Sequence, residues 1–212
     1  ELLKRIRAEK ERLVAEGKIR RESPPANTGP AVLSGLPSSW ESVRLGDLLP
    51  EFQNGVSSRG CASGESVVVL RLADIAEGEI SLRDTRELVL DKGVKEKFAL
   101  VGGDILIVRV NGSADIVGKF ILCQKPLPAV YCDHFIRMRI RQDWISPDYL
   151  VLLGKSRLVR DRISDLFITT AGQKTVNQGH IGSLLLPLPP LPEQSRIVAA
   201  VASLTALCDR LR

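Results

Sequence analysis

The sequence predicts an α+β protein: a mixed helix-and-strand domain flanked by two long helices that form an antiparallel coiled-coil-like arm. Three observations predict it. The chain opens on a charged, proline-free stretch with apolar residues at heptad-like steps. Its middle is built of short β-branched runs separated by Gly, Asn and Asp, and its end repeats apolar residues at steps of 4, 3, 4 and 3. With 212 residues, 44% hydrophobic and 26% charged, the composition is that of a globular protein and excludes wholesale disorder.

Residues 1–21 read as one helix on which Leu3, Ile6 and Leu13 form the stripe, with Lys10 as a polar interruption. Residues 22–35, rich in Pro and Gly, read as a linker. Residues 36–190 form the domain. Within it Val67–Leu72, Ile105–Val110, Lys119–Cys123 and His134–Ile140 are predicted strands, and Lys92–Leu100 and Pro147–Leu166 predicted helices. A proline-rich turn, Leu186–Pro192, then leads into a helix over 191–212. Pro192 suits its first turn and Glu193 complements the helix dipole. Ile197, Val201, Leu204, Cys208 and Leu211 make the seam of this helix, a partner-binding face. Met138 is the only methionine, so the chain reads as having lost an N-terminal part, and the last helix is expected to continue.

The function classes narrow by absence of motifs. No apolar run approaches the ~18–20 residues of a membrane span, and the charged opening is no signal peptide. Cysteines 61, 123, 132 and 208 have neither zinc nor disulfide spacing and read as reduced thiols of a cytoplasmic protein. The two histidines, His134 and His180, lack a nucleophile signature beside them, and no GxSxG, HExxH, GxGxxG or Walker motif occurs. Cys132-Asp133-His134 reads as a small buried thiol beside a hydrogen-bonded histidine, with no metal expected. Catalysis by this chain alone is therefore not expected.

Charge and polar loops are more informative. Net charge is +5, but residues 36–104 carry 8 basic and 12 acidic side chains while 105–191 carry 11 and 6. A polyanion is expected to meet the later half. Three loops mix Gly with hydrogen-bonding side chains suited to phosphates and base edges: one with Asn54, Ser57, Ser58 and Arg59, one with Arg109, Asn111, Ser113 and Lys119, and one with Thr170, Gln173, Lys174 and Asn177. Ordinary solvent turns are the competing reading. In His134–Arg141 the residues Arg137, Arg139 and Arg141 alternate with Ile136, Met138 and Ile140. They would either track a phosphate backbone or protect an exposed strand, and the structural role is favoured. Aromatic content of 4% argues against a stacking platform for single strands and favours duplex DNA.

Leu36-Pro-Ser-Ser-Trp40 and Pro187-Leu-Pro-Pro-Leu-Pro-Glu-Gln194 resemble motifs of the specificity subunits of type I restriction–modification systems. The opening Leu36-Pro-Ser-Ser-Trp40 with Leu45-Gly-Asp47 is similar to the start of their target recognition domains. Pro187-Leu-Pro-Pro-Leu-Pro-Glu-Gln194, followed by Arg196-Ile-Val198, resembles the signature leading into their conserved helix. Gly103-Asp-Ile-Leu106, Gly118-Lys119 and the Gly172–Asn177 loop follow the family order. The resemblance implies a noncatalytic subunit that reads one half of a bipartite duplex DNA target. Its helices would dock methyltransferase subunits, which motor and nuclease subunits then join. S-adenosylmethionine, ATP and Mg would belong to those partners, and no cofactor to this chain. With one recognition domain, the chain would be half of a subunit, or would pair with a second copy of itself. The alternative is a coiled-coil scaffold whose globular domain binds protein.

Overall fold

The computed structural model describes residues 2–17, 32–57, 63–76, 78–83 and 85–211. The first half contains α1 (Leu2–Ala15), β1 (Glu41–Arg44), β2 (Glu51–Asn54), β3 (Glu65–Leu70), β4 (Ile75–Ala76), β5 (Glu79–Ile80), β6 (Arg86–Leu90) and α2 (Lys92–Lys97). The second half contains β7 (Ile105–Val108), β8 (Val110–Asn111), β9 (Phe120–Leu122), β10 (Ala129–Tyr131), β11 (Phe135–Arg139), α3 (Pro147–Lys155) and α4 (Arg157–Asp165). It ends with β12 (Ile168–Thr170), β13 (Gln173–Thr175), α5 (Gln178–Gly182), β14 (Leu185–Leu188) and α6 (Leu191–Arg210).

A four-stranded antiparallel sheet in the order β2-β11-β7-β9 divides the interior. Side chains alternate along its strands, so one strand feeds two cores. Ile105, Ile107, Ile136 and Met138 join Tyr149, Leu150, Val159 and Ile163 of α3 and α4 on one side. Leu106, Val108, Ile121 and Phe135 face the second sheet, β10-β3-β6, where Val67, Val69, Val130 and Tyr131 lie. All four residues of β7 are buried, as an uninterrupted apolar run in a covered strand should be.

The helix read over Pro147–Leu166 is two helices. Ser146 and Ser156 sit in extended backbone at their N-termini, and each Ser side chain caps a new helix, accepting from the N–H of Tyr149 and of Val159. The segment read as a proline-rich turn is partly a strand. β14 pairs antiparallel with β1, matching Pro187 to Ser42. A two-stranded sheet consists of edges, where a missing N–H is tolerated.

The arm of two mutually paired helices expected from the sequence is not what holds α1, which packs on the domain. Ile6 of α1 is 2% exposed and belongs to the core of the domain. Lys10 reaches Asp47 at 3.0 Å, and Glu9 accepts from Arg141 at 2.8 Å, so α1 is docked on the domain itself. Leu13 is half-buried, and the Leu3 side chain and residues 22–31 of the linker lie outside the described residues. Ile197 packs on the core, whereas Leu204, Cys208 and Leu211 are exposed, Leu204 at 63% and Leu211 at 80%.

Candidate nucleic-acid interface

β12 and β13 form a hairpin whose outer strand is exposed along its length. Its two-residue turn, Ala171-Gly172, has φ of 48° and 79°, the left-handed pair that matches the twist of the strands. The inner strand pairs with β8, setting Lys174 opposite Asn111 and Thr175 opposite Val110. The second and third polar loops are therefore one sheet. Lys174 Nζ also donates to the Gly112 carbonyl at 3.1 Å.

The first loop joins them through Gln178, whose amide nitrogen donates to Asn54 Oδ1 at 3.1 Å. Gln178 was not among the predicted site residues; its place beside Asn177 in a polar loop is the only signal of it in the sequence. Arg109 ties the base of the second loop to the turn after β10, donating from Nη1 to the Asp133 carbonyl at 3.0 Å. Of the first loop's other candidates, Ser57 is exposed, and Ser58 and Arg59 lie outside the described residues.

The loop from β8 to β9 is held from below by α4. Arg160 donates to the carbonyls of Val117 and Ala114, both at 2.9 Å. Gly118 has φ of 73°, and a Cβ there would stand 2.5 Å from Ile163 Cγ2, so only glycine lets the loop rest on the helix. A cleft of about 560 Å³ opens beside it, with Asn111, Lys119 and Lys155 at its polar positions and Val108, Phe120 and Ile121 among its apolar ones. Lys119 and Lys155 are exposed.

Several candidates have a side-chain oxygen engaged in holding the loops, the exposed Asn177 among them. Asn111 Oδ1 accepts from the Ser113 N–H at 2.9 Å, and Ser113 Oγ accepts from the Asp115 N–H at 3.3 Å. Asn177 caps α5, accepting from the His180 N–H at 2.8 Å. Thr170, Gln173 and Lys119 remain as exposed polar side chains on the assembled surface, with Lys174 half-buried behind them.

The arginines of β11 and its extension do not reach this surface. Arg137 is 2% exposed and pairs with Glu51. Arg139 grips buried Asp104 with two bonds of 2.7 and 2.8 Å, which raises the Arg139 pKa further. Arg141 pairs with Glu9 and lies over the Trp144 ring. Acids distant in sequence thus pair with three of the eleven basic side chains of residues 105–191, so folding alters the simple division of charge along the chain. Basic side chains at the loops and the cleft include Lys119, Lys155, Arg160, Lys174 and Arg109.

The chain is 36% identical over 173 residues to the StySPI specificity subunit of Salmonella potsdam, covering 81% of this chain and 37% of that protein. This chain belongs to the family of type I restriction enzyme specificity subunits. It is also 31% identical over 176 residues to the EcoKI specificity subunit of Escherichia coli K12, covering 82% of this chain and 38% of that one. It spans little more than a third of the length of the curated relatives it matches. Solved structures share the fold. An HsdS subunit from Thermoanaerobacter tengcongensis matches at a TM-score of 0.58 and 20% identity, over 83% of this chain and 44% of that one. A chain from a structural study of type I R-M complex assembly matches at 0.60 and 19%, over 99% of this chain and 50% of that one. No protein-family model matches.

In this specificity-subunit chain the recognisable motifs are structural. Gln194 is fully buried. Its Oε1 accepts from the Ser146 N–H at 2.8 Å, and its Nε2 donates to the carbonyls of Pro189 at 2.9 Å and Trp144 at 3.3 Å. The bonds to Ser146 and Trp144 fasten α6 to the start of α3, and the bond to Pro189 closes the turn ahead of α6. Asp104, besides holding Arg139, accepts from the Val101 N–H at 2.9 Å. Tyr149 donates to the Pro187 carbonyl at 3.0 Å, and burial pushes its pKa up to about 12. These groups hold the scaffold together through buried or partly buried bonds.

Proposed function

We propose that this chain is the DNA-reading half of a specificity subunit. It recognises one half of a bipartite duplex target and performs no catalysis itself. The observation that carries this reading is the convergence of three polar loops on one surface through the Asn54–Gln178 bond and the β8–β13 pairing. A two-stranded ribbon is of a size that the major groove admits, and Thr170 and Gln173 on it offer hydrogen-bonding groups to base edges. Lys119 and Lys174 would meet phosphates.

The exposed stripe Val201, Leu204, Cys208 and Leu211 is where a partner helix would lie, whether from a second recognition domain or a second copy of this chain. Methyltransferase subunits would dock on the completed coil, and motor and nuclease subunits would join them. S-adenosylmethionine, ATP and Mg would be the partners' cofactors. The scaffold reading calls for an apolar patch on the globular domain; the hairpin and the neighbouring loop expose Ile168 and Ile116, but alongside Thr170, Gln173 and Lys119.

The test is duplex binding across a salt series. Lys119→Ala and Lys174→Ala should weaken binding to every duplex and lower the slope of log K against log salt by about one each. Absence of duplex binding, or slopes unchanged in both variants, overturns the reading.

A further inference from the structure

On an extended strand the Asp133 side chain would point away from those of Cys132 and His134. The structure places them in a tight turn, closed by the Phe135 N–H on the Cys132 carbonyl at 3.0 Å. The turn gathers all three donors on one side. Cys132 Sγ lies 3.8 Å from His134 Nδ1, His134 Nδ1 lies 3.4 Å from Asp133 Oδ1, and the three ligand atoms fall within 4.8 Å of one another. Donors held at about 2.0–2.3 Å around a tetrahedral ion stand about 3.3–3.6 Å apart. Two edges already approach that spacing, and rotation of the half-exposed Asp133 carboxylate closes the third.

We propose that Cys132, Asp133 and His134 form a three-ligand site for a divalent transition metal of the zinc class. The donor set is one thiolate, one imidazole and one carboxylate, which suits a borderline ion better than calcium or magnesium. His134 and Asp133 are each nearly half exposed, leaving the fourth position open to water. On binding, the Cys132 S–H bond breaks, the S–metal bond forms and the proton leaves to solvent.

The backbone around the site is fixed independently. The Asp133 N–H donates to the Val56 carbonyl at 2.9 Å, the Cys132 N–H to Leu70 at 3.0 Å, and the Arg109 N–H to the His134 carbonyl at 2.7 Å. A bound ion would therefore tie the first polar loop, through Val56, to the base of the second, through Arg109. The site itself does not depend on what those loops contact.

The experiment is titration of the full chain with Co²⁺, followed by displacement with Zn²⁺. One equivalent should produce a thiolate-to-cobalt charge-transfer band that Zn²⁺ abolishes. Cys132→Ser should lose the band, Cys208→Ser on α6 should keep it, and His134→Ala should weaken Co²⁺ binding at least about tenfold. Cys132 is buried, so if its variant does not fold, His134→Ala and Asp133→Asn on the exposed turn carry the test. No band at stoichiometric Co²⁺, a band that survives Cys132→Ser, or one indifferent to both turn variants overturns the proposal.

Discussion

Replacing Gln194 by alanine is expected to destabilise the domain by about 3–4 kcal/mol. The side chain is fully buried and makes three hydrogen bonds, to the Ser146 N–H and the Pro189 and Trp144 carbonyls. Each is worth about 1 kcal/mol net, and a group left unpaired away from water costs about 1–3 kcal/mol more. Ser146 is only half-buried and water can reach it in part, which keeps the sum from growing further. Urea denaturation should show a lower midpoint at an unchanged m-value. Gln194→Glu is the sharper variant, since it sets a buried carboxylate against two carbonyl oxygens. Burial raises the folded-state pKa of such a group above its unfolded value of about 4.3. The unfolded state then loses its proton first, so this variant loses stability as pH rises above about 4 and recovers as pH falls. A loss below about 1 kcal/mol for Gln194→Ala, or a Gln194→Glu defect independent of pH, would refute the reasoning that this amide locks α6 to α3.

The docking of α1 should respond to acid. Arg12 and Arg141 hold Glu9 at about 2, well below the ordinary carboxylate range. Its stabilising contribution is present above the unfolded value of about 4.3 and is lost as pH falls towards 2, which amide exchange along α1 across that window would detect. Gly118→Ala should cost about 1–2 kcal/mol from the left-handed backbone, with further strain where Cβ meets Ile163, and should weaken duplex binding by displacing the loop. Thermal unfolding and a binding isotherm measure the two effects. Thr170→Ala and Gln173→Ala should alter sequence preference while leaving the salt slope unchanged, read by mapping methylated sites with the reconstituted partners. Identical site maps would remove the ribbon from base reading.

Period and punctuation made part of the fold legible in one dimension. The β-branched run Ile105–Val108, the alternation through Phe135–Arg139 and the repeat along α6 each predicted its element, because burial on one face imposes a period that needs no knowledge of the partner. The break at Ser156 was not seen, since apolar spacing continues across a cap that interrupts only the backbone. The Pro187 strand was hidden because its pairing with Ser42 joins residues far apart in the chain.

The loops were legible as polar segments, but composition does not say where a loop goes. That Asn54 meets Gln178 and Asn111 lies opposite Lys174 depends on strand order, and strand order is settled by long-range burial. The same folding paired Arg137, Arg139 and Arg141 with Glu51, Asp104 and Glu9, and so altered the charge map that the sequence suggested. It also bent Cys132, Asp133 and His134 into a cluster of donors. The sequence by itself determined some of the elements and the family, because local periodicity and the signature around Gln194 are written in consecutive residues. Only the tertiary structure decided which side chains share a surface, because that depends on contacts between segments the chain keeps far apart.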